Sequence, residues 1–268
     1  MLRAWNPGAV RAYLDGPALQ LWRKAAQDGV LCDNLEATLD GVATLISGTG
    51  WGSDLDHEAR KAARTRRVRS IAVLDNWVNY RERFVRGGEM VLPDEIWVVD
   101  EYAMAIAAAA FPSVTIRQKR DVYADEQLRG IAPPPDAGDA ELLYLLEPAR
   151  SNWSRCEPGE FQALRYFLER FTRLNLPPEL VIRLRPHPSD DPAKYDEFLG
   201  SCGASRIVLD SGNLGASMSR ARWVAGCQTY ALTLALRSGR KVFCTLPPWA
   251  PPCTLPHAGL VHIKLIDT

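Results

Sequence analysis

His187 stands between two prolines at the end of the stretch VIRLRPHPSD, which begins at Val181. Val181, Arg183 and Arg185 alternate with Ile182 and Leu184 at the period of a β-strand, which places His187 just past a carboxyl end. Ligands of α/β sheets bind at that end. The prolines fix the backbone on both sides, and an imidazole on a rigid loop is a good donor to a phosphate. The alternative is a loop histidine ahead of a helix that Ser189 and Asp190 cap. The two arginines share one face of the strand. An unpaired buried guanidinium is costly, so Arg183 and Arg185 either neutralise acidic neighbours or direct a positive field at a phosphate near His187.

A second constellation lies in WVAGCQTYALTLALRSGRKVFCTL, residues 223–246. A strand ends at Gly226-Cys227, and Gln228 and Thr229 open a helix. A helix N-terminus with a hydroxyl and unpaired backbone N–H groups is an anion site. A plain βαβ unit with Thr229 as N-cap has the same geometry.

In the first half, GTGWG (48–52) follows a strand. Gly48, Thr49 and Gly50 allow a substrate close to the backbone, and Asp54 and Asp56 follow in a first helical turn. A carboxylate held beside a substrate hydroxyl can act as a general base, which makes these two the candidate bases. Service to the helix dipole is their competing role, and His57 has a similar status. In LDNWVNYRERF (74–84), Trp77 and Tyr80 offer faces for a sugar, and Asn76, Asn79 and Arg81 offer hydrogen bonds. Asp75 is the reserve candidate for the base. The competing reading is a packed loop with surface ion pairs.

These residues need strands and helices in alternation. Strands are expected at 10–14, 41–47, 70–75, 95–100 and 113–116, with helices between them, one opening at Ser53 and one in EYAMAIAAAAF. After the Pro/Gly/Asp-rich GIAPPPDAGD (130–139) the alternation restarts through ELLYLL, LVIRLR, SRIVL, WVAGC and KVFCTL. The expected class is α/β, with two Rossmann-like lobes built on parallel sheets. Residues 1–130 would form an acceptor-side lobe and residues 140–268 a nucleotide-binding lobe, hinged in the linker around a cleft. No glycine turn precedes VRAYL, so the N-terminal lobe reads as lacking its first βα unit.

The 268 residues carry 32 basic and 32 acidic side chains, so no global positive field invites nucleic acid. No apolar run reaches the ~20 residues of a membrane span. The N-terminus has no signal-peptide core, and the six cysteines form no C-x-x-C pair. These features suit reduced thiols in the cytoplasm, at most peripheral at the inner membrane face. No metal is expected, because the only DLD (54–56) lies on a helix, and no cofactor is implied.

The C-terminal half, about residues 141–247, resembles the nucleotide-binding lobe of GT-B glycosyltransferases. The likeness is to the group of bacterial sialyltransferases, Kdo transferases and CDP-glycerol polymerases. It rests on RLRPHP and on the block from Gly226 to ALRSGRKVF, with Gln228-Thr229 where Ser-Ser or Ser-Thr is usual. The resemblance implies that His187 and Thr229 hold the nucleotide phosphate, with Arg185, Gly226 and Gln228 beside them, and that Glu147 and Pro148 border the cleft. It also implies a glycosyltransferase that takes a CMP-linked ulosonic acid as nucleotide-sugar donor and a glycan or glycoconjugate acceptor. Ser151, Asn152, Trp153 and Trp249 would then read the pyrimidine. Two alternatives stand beside it. One is an isomerase similar to UDP-GlcNAc 2-epimerases, whose Ser-Gly-Gly loop LDSGNLG (209–215) resembles, although that family's Arg-Glu-rich stretch is missing. The other is a degenerate, non-catalytic nucleotide-binding module.

Overall fold

The computed structural model describes residues 10–24, 29–50, 52–202 and 206–266. Trp51 of the glycine loop and residues 25–28 of the first expected helix lie outside them. The chain divides into two compact units, Met1–Val122 and Tyr123–Thr268.

The first unit opens with β1 (Arg11–Ala12), α1 (Gly16–Lys24), β2 (Val30–Leu31) and α2 (Leu35–Leu39). β1 and β2 form a parallel pair of their own. A four-stranded parallel sheet follows in the order β3 (Thr44–Ser47), β4 (Arg69–Leu74), β7 (Glu95–Val98), β8 (Thr115–Gln118). Two helices pack on it, α3 (Leu55–Arg66) and α4 (Glu101–Ala110). The buried positions of α4 are Ala103 and Ala107, and those of α3 are Ala59 and Ala63 together with His57 and Arg60. Ala72 and Leu74 of β4 and Ile96 and Val98 of β7 are buried in the same unit. Asp100 caps α4, its side chain accepting from the Ala103 N–H at 2.7 Å. The expected cap of α3 differs. The helix starts after Asp54, and Ser53 Oγ accepts only from the Leu55 N–H, at 3.4 Å.

The stretch after β4 contains a short 3₁₀ turn (Glu82–Phe84) and a hairpin, β5 (Val85–Arg86) with β6 (Glu89–Met90). Gly87 and Gly88 turn it with φ of 55° and 81°, the backbone that a tight hairpin requires and that glycine adopts freely.

The second unit begins within the first turn of α5 (Val122–Arg129), at Tyr123, and continues with β9 (Glu141–Leu145), α6 (Gly159–Arg170), β10 (Ile182–Arg185), α7 (Asp196–Cys202) and β11 (Ile207–Leu209). It closes with α8 (Leu214–Arg220), β12 (Ala221–Gly226), α9 (Tyr230–Arg237), β13 (Lys241–Cys244) and β14 (Leu260–His262). All six strands are parallel, in the order β11-β10-β9-β12-β13-β14. Counted from β9, that is 3-2-1-4-5-6, the doubly wound dinucleotide-fold order. Leu164 and Phe167 of α6 share a buried cluster with Tyr144 of β9, Ile182 and Leu184 of β10 and Phe243 of β13. Truncating Phe167 there would cost about 3–5 kcal/mol.

The Pro-rich segment before β9 is strapped to this unit. Arg240 Nη2 donates to the Ala132 carbonyl at 2.6 Å and Arg222 Nη1 to that of Pro135 at 3.0 Å, while the Ala132 N–H donates to Ser219 Oγ at 3.0 Å. Among the described residues, no helix is long and apolar enough to cross a membrane.

Candidate functional site

In a 3-2-1-4-5-6 sheet the order reverses between the first and fourth strands, here β9 and β12. Connections leave that point in opposite directions and open a crevice beyond the carboxyl ends. Gly226 pairs with Leu145 there, and a Cβ on Gly226 would meet the Leu145 carbonyl oxygen at 3.0 Å. Glycine therefore keeps the two strand ends close.

Glu147 follows β9, and Gln228 and Thr229 follow β12. The Gln228 N–H donates to Glu147 Oε2 at 2.8 Å, and the Thr229 N–H bonds the same carboxylate. A side chain of the unit thus occupies the N-terminus of α9. Burial pushes the Glu147 carboxyl above its usual range, against the pull of the two amides and of nearby His187. Thr229 Oγ1 accepts from the Ala231 N–H at 3.5 Å, so its hydroxyl caps the helix. Gln228 Oε1 accepts from Thr254 N and Thr254 Oγ1 at 3.0 and 3.1 Å.

His187 is exposed at the end of β10. The Ser189 N–H donates to His187 Nδ1 at 3.2 Å, and Ser189 Oγ lies 2.8 Å from the same atom. An Nδ1 that accepts from an amide carries no proton, so the neutral ring holds its proton on Nε2. Beneath the loop, Asp190 accepts from the His187 N–H, from Tyr195 Oη at 3.0 Å and from Lys194 Nζ at 2.9 Å. Burial raises the Asp190 carboxyl, but the bonds from Lys194 and Tyr195 outweigh it and leave its pKa below the ordinary value. Lys194 also pairs with the buried Glu160 at 2.7 Å.

The two strand arginines take the first of their expected roles. Arg183 makes a two-pronged pair with Glu141, at 2.7 and 2.6 Å. Arg185 Nη1 donates to the buried Asp210 and to the Gly212 carbonyl, both at 2.6 Å. Arg185 therefore stitches β10 to the loop before α8, and that Nη1 is spent within the unit. The tryptophans expected to read a base are also engaged. Trp153 covers Gly159, where a Cβ would lie 2.4 Å from its ring. Trp249 donates to Gln162 Oε1 at 2.7 Å, and the Arg155 guanidinium lies 3.7 Å from its ring centroid.

In the first unit, the glycine loop beyond β3 is held by three arginines, of which the sequence reading placed only Arg83, and that in a surface ion pair. Arg60 Nη1 donates to the Gly48 carbonyl at 3.1 Å, Arg83 Nη1 to that of Thr49 at 3.0 Å and Arg86 Nη2 to that of Gly50 at 2.8 Å. Three successive carbonyls are taken by three arginines. Arg60 is 1% exposed, and burial pushes its pKa down to about 10, with Asp56 resisting. Asp56 Oδ2 accepts from the Gly50 N–H at 3.1 Å, and Gly48 leaves room for it, since a Cβ there would stand 3.0 Å away. Asp54 pairs with Arg86 at 2.9 Å and is largely exposed. His57 is 3% exposed, and its Nδ1 has no hydrogen-bond partner among the described residues. Burial, then Arg60, lowers its pKa.

The expected sugar platform is core. Trp77 and Tyr80 are 8% and 4% exposed; Trp77 donates to Asp100 and Tyr80 Oη to the Asn76 carbonyl. Neither turns a ring face outward. Asp75 is exposed and accepts from Asn76 Nδ2 at 3.3 Å, and Arg81 reaches the Ala110 carbonyl. A cleft of about 690 Å³ opens at the other end of this sheet, the amino ends of β4, β7 and β8, among Arg64, Arg67, Arg69 and Asp94. Among the described residues, no group of three or more His, Cys, Asp or Glu is placed to hold a metal ion.

Solved structures share this architecture. A protein of Listeria monocytogenes assigned as a UDP-N-acetylglucosamine 2-epimerase aligns over 88% of this chain and 70% of its own, with a TM-score of 0.55 and 13% identity. The chain has a GT-B-like fold of two Rossmann-like units. MnaA of S. aureus, solved with UDP, aligns over 84% of this chain and 67% of its own, with a TM-score of 0.51 and 10% identity. No family model matches the sequence, and no curated protein matches it. The expected fold is borne out. The Listeria neighbour carries the assignment of the alternative raised by LDSGNLG, where sialyltransferases and Kdo transferases were the first expectation.

Proposed function

We propose that the chain is an enzyme of nucleoside-diphosphate sugars that works at the anomeric carbon–diphosphate bond, in the manner of a UDP-N-acetylglucosamine 2-epimerase. The observation that carries the reading is the convergence of Glu147, His187 and the N-terminus of α9 at the switch point of the doubly wound sheet. His187 Nε2–H donates to the diphosphate. Glu147 yields the α9 amides when it takes up a proton, and that proton is then held beside the departing diphosphate oxygen. Asp54 and Asp56 are the first unit's candidates for a base.

The architecture of the UDP-bound neighbour supports uridine over cytidine. The engagement of Trp153 and Trp249 inside the unit weakens the case for a cytosine stack. The transferase reading with a CMP-linked ulosonic acid therefore stands second.

The test is incubation with UDP-N-acetylglucosamine in D2O, followed by proton NMR. Appearance of the C2 epimer with deuterium at C2 supports isomerisation. No exchange, together with tighter binding of CMP or CDP than of UDP, returns the reading to sugar transfer.

A further inference from the structure

The cleft among Arg64, Arg67 and Arg69 lies at the opposite end of the first unit's sheet from the glycine loop, and the proposed reaction does not use it. Its volume of about 690 Å³ is in the range of small-molecule sites. Three connections build it. α3 delivers Arg64 in its last turn and stops at Arg67, whose φ of 56° turns the backbone out of the helix. β4 then starts with Arg69 and Ser70. The segments ahead of β7 and β8 supply Leu92, Pro93, Asp94 and Val114.

Positive charge is in excess there. Asp94 is the carboxylate that lines the cleft, and its Oδ2 is taken by the Ser70 N–H and Oγ at 2.7 and 2.9 Å. Arg69 pairs with the buried Glu95 at 2.6 Å, but Glu95 is shared with Arg117 at 3.1 Å. Arg64 and Arg67 are exposed and have no ion pair among the described residues. Service to the α3 dipole explains a cation in the last turn. It does not explain a hollow that draws guanidiniums from both a helix end and a strand and lines them with apolar surface. Pro93 is buried, and Val68, Leu92 and Val114 are half-buried.

We propose that this cleft binds a phosphate monoester of a small organic molecule. A guanidinium meets phosphate oxygens with paired N–H donors. Two arginines without counter-ions match the roughly two negative charges that a phosphate monoester carries at pH 7. A carboxylate brings one charge and leaves the second arginine unmatched. Ser113 adds an exposed hydroxyl, and the apolar lining takes the organic body. The site uses neither His187 nor α9, so it does not rest on the nucleotide-sugar reading.

Calorimetry of the intact chain with phenyl phosphate at pH 7.5 tests it. The crevice of the second unit is also a candidate for phosphate, so the variants decide. Arg64→Gln combined with Arg67→Asn, asparagine being suited to the positive φ, should weaken phenyl phosphate roughly tenfold or more. The same variant should keep the wild-type melting temperature and UDP affinity, because both side chains are exposed and far from the crevice residues. His187→Ala should leave phenyl phosphate binding unchanged. Benzoate should bind roughly tenfold more weakly than phenyl phosphate. Equal phenyl phosphate affinity in the double variant and the wild type would overturn the proposal, as would the absence of binding to the wild type. Capture by phosphatidic acid vesicles without binding of phenyl phosphate would also overturn it and make this face a lipid contact. A chain that binds phenyl phosphate through these arginines but does not bind UDP loses the nucleotide-sugar reading and keeps this site.

Discussion

The carboxylate of Glu147 lies 2.8 Å from the backbone N–H of Gln228, so the positive end of α9 is already neutralised from within the second unit. A phosphate that arrives there meets a negative charge unless Glu147 is protonated. Binding of a nucleoside diphosphate should therefore tighten as pH falls toward the ordinary carboxyl range. Glu147→Gln keeps an acceptor for Gln228 and removes the charge. Calorimetry with UDP at pH 7.5 should show roughly tenfold tighter binding in the variant and a flatter pH profile. Equal affinities would place the phosphate elsewhere.

The same group makes a stability prediction. Its folded-state pKa is raised, chiefly by burial, so the folded state holds the proton longer than the unfolded state does. Glu147's contribution is present at low pH and is lost as pH rises through the raised value. Urea unfolding at pH 8 should find Glu147→Gln more stable than wild type, with the two converging near pH 4.

His187→Ala removes an exposed side chain whose bonds run to its own loop, so the fold should lose no more than ~1 kcal/mol. If Nε2–H donates to a phosphate, UDP affinity should fall by about 10- to 100-fold. Unchanged affinity would remove His187 from the site.

Arg60→Leu should do the reverse, costing stability first. It strands the Gly48 and Val91 carbonyls and Ser47 Oγ in the interior. A loss of roughly 2–4 kcal/mol in denaturant unfolding is expected. A loss below ~1 kcal/mol would mean that water satisfies those groups.

His57 predicts an acid limb for the first unit. Its folded-state pKa is lowered, mainly by burial, so the unfolded state binds the proton first as pH falls. Stability should drop below pH 6.5 until the lowered value is passed. Melting temperatures of His57→Gln should show a shallower drop across that window; parallel curves would exclude His57.

Much of the fold was legible because strand and helix periods survive locally. VIRLRPHP announced both its strand and the loop beyond it, since alternation and proline act within a few residues. The strand order was not legible, because it depends on which carboxyl ends meet, and that is settled by pairings such as Gly226 with Leu145. The glycine loop was found, but its three arginines were not. Arg60, Arg83 and Arg86 look like surface charge in one dimension, and only folding turns them onto consecutive carbonyls. Trp77 and Tyr80 misled for a related reason: an aromatic beside a strand end has the same spelling whether it faces solvent or the core. The Gly87-Gly88 pair was an available signal for the hairpin, masked by the polar residues around it.

The strapping of residues 131–135 bears on how the protein can be cut. A protease needs several residues of free backbone, and here Arg240, Arg222 and Ser219 hold the backbone of Ala132 and Pro135. A fragment begun at Ala140 would lose those acceptors, and with them Asp125, which Arg237 meets at 2.9 Å, and Tyr123, whose ring lies 5.9 Å from that of Tyr230. An expression fragment of the second unit should therefore begin ahead of Tyr123, with the proline run kept as its hem.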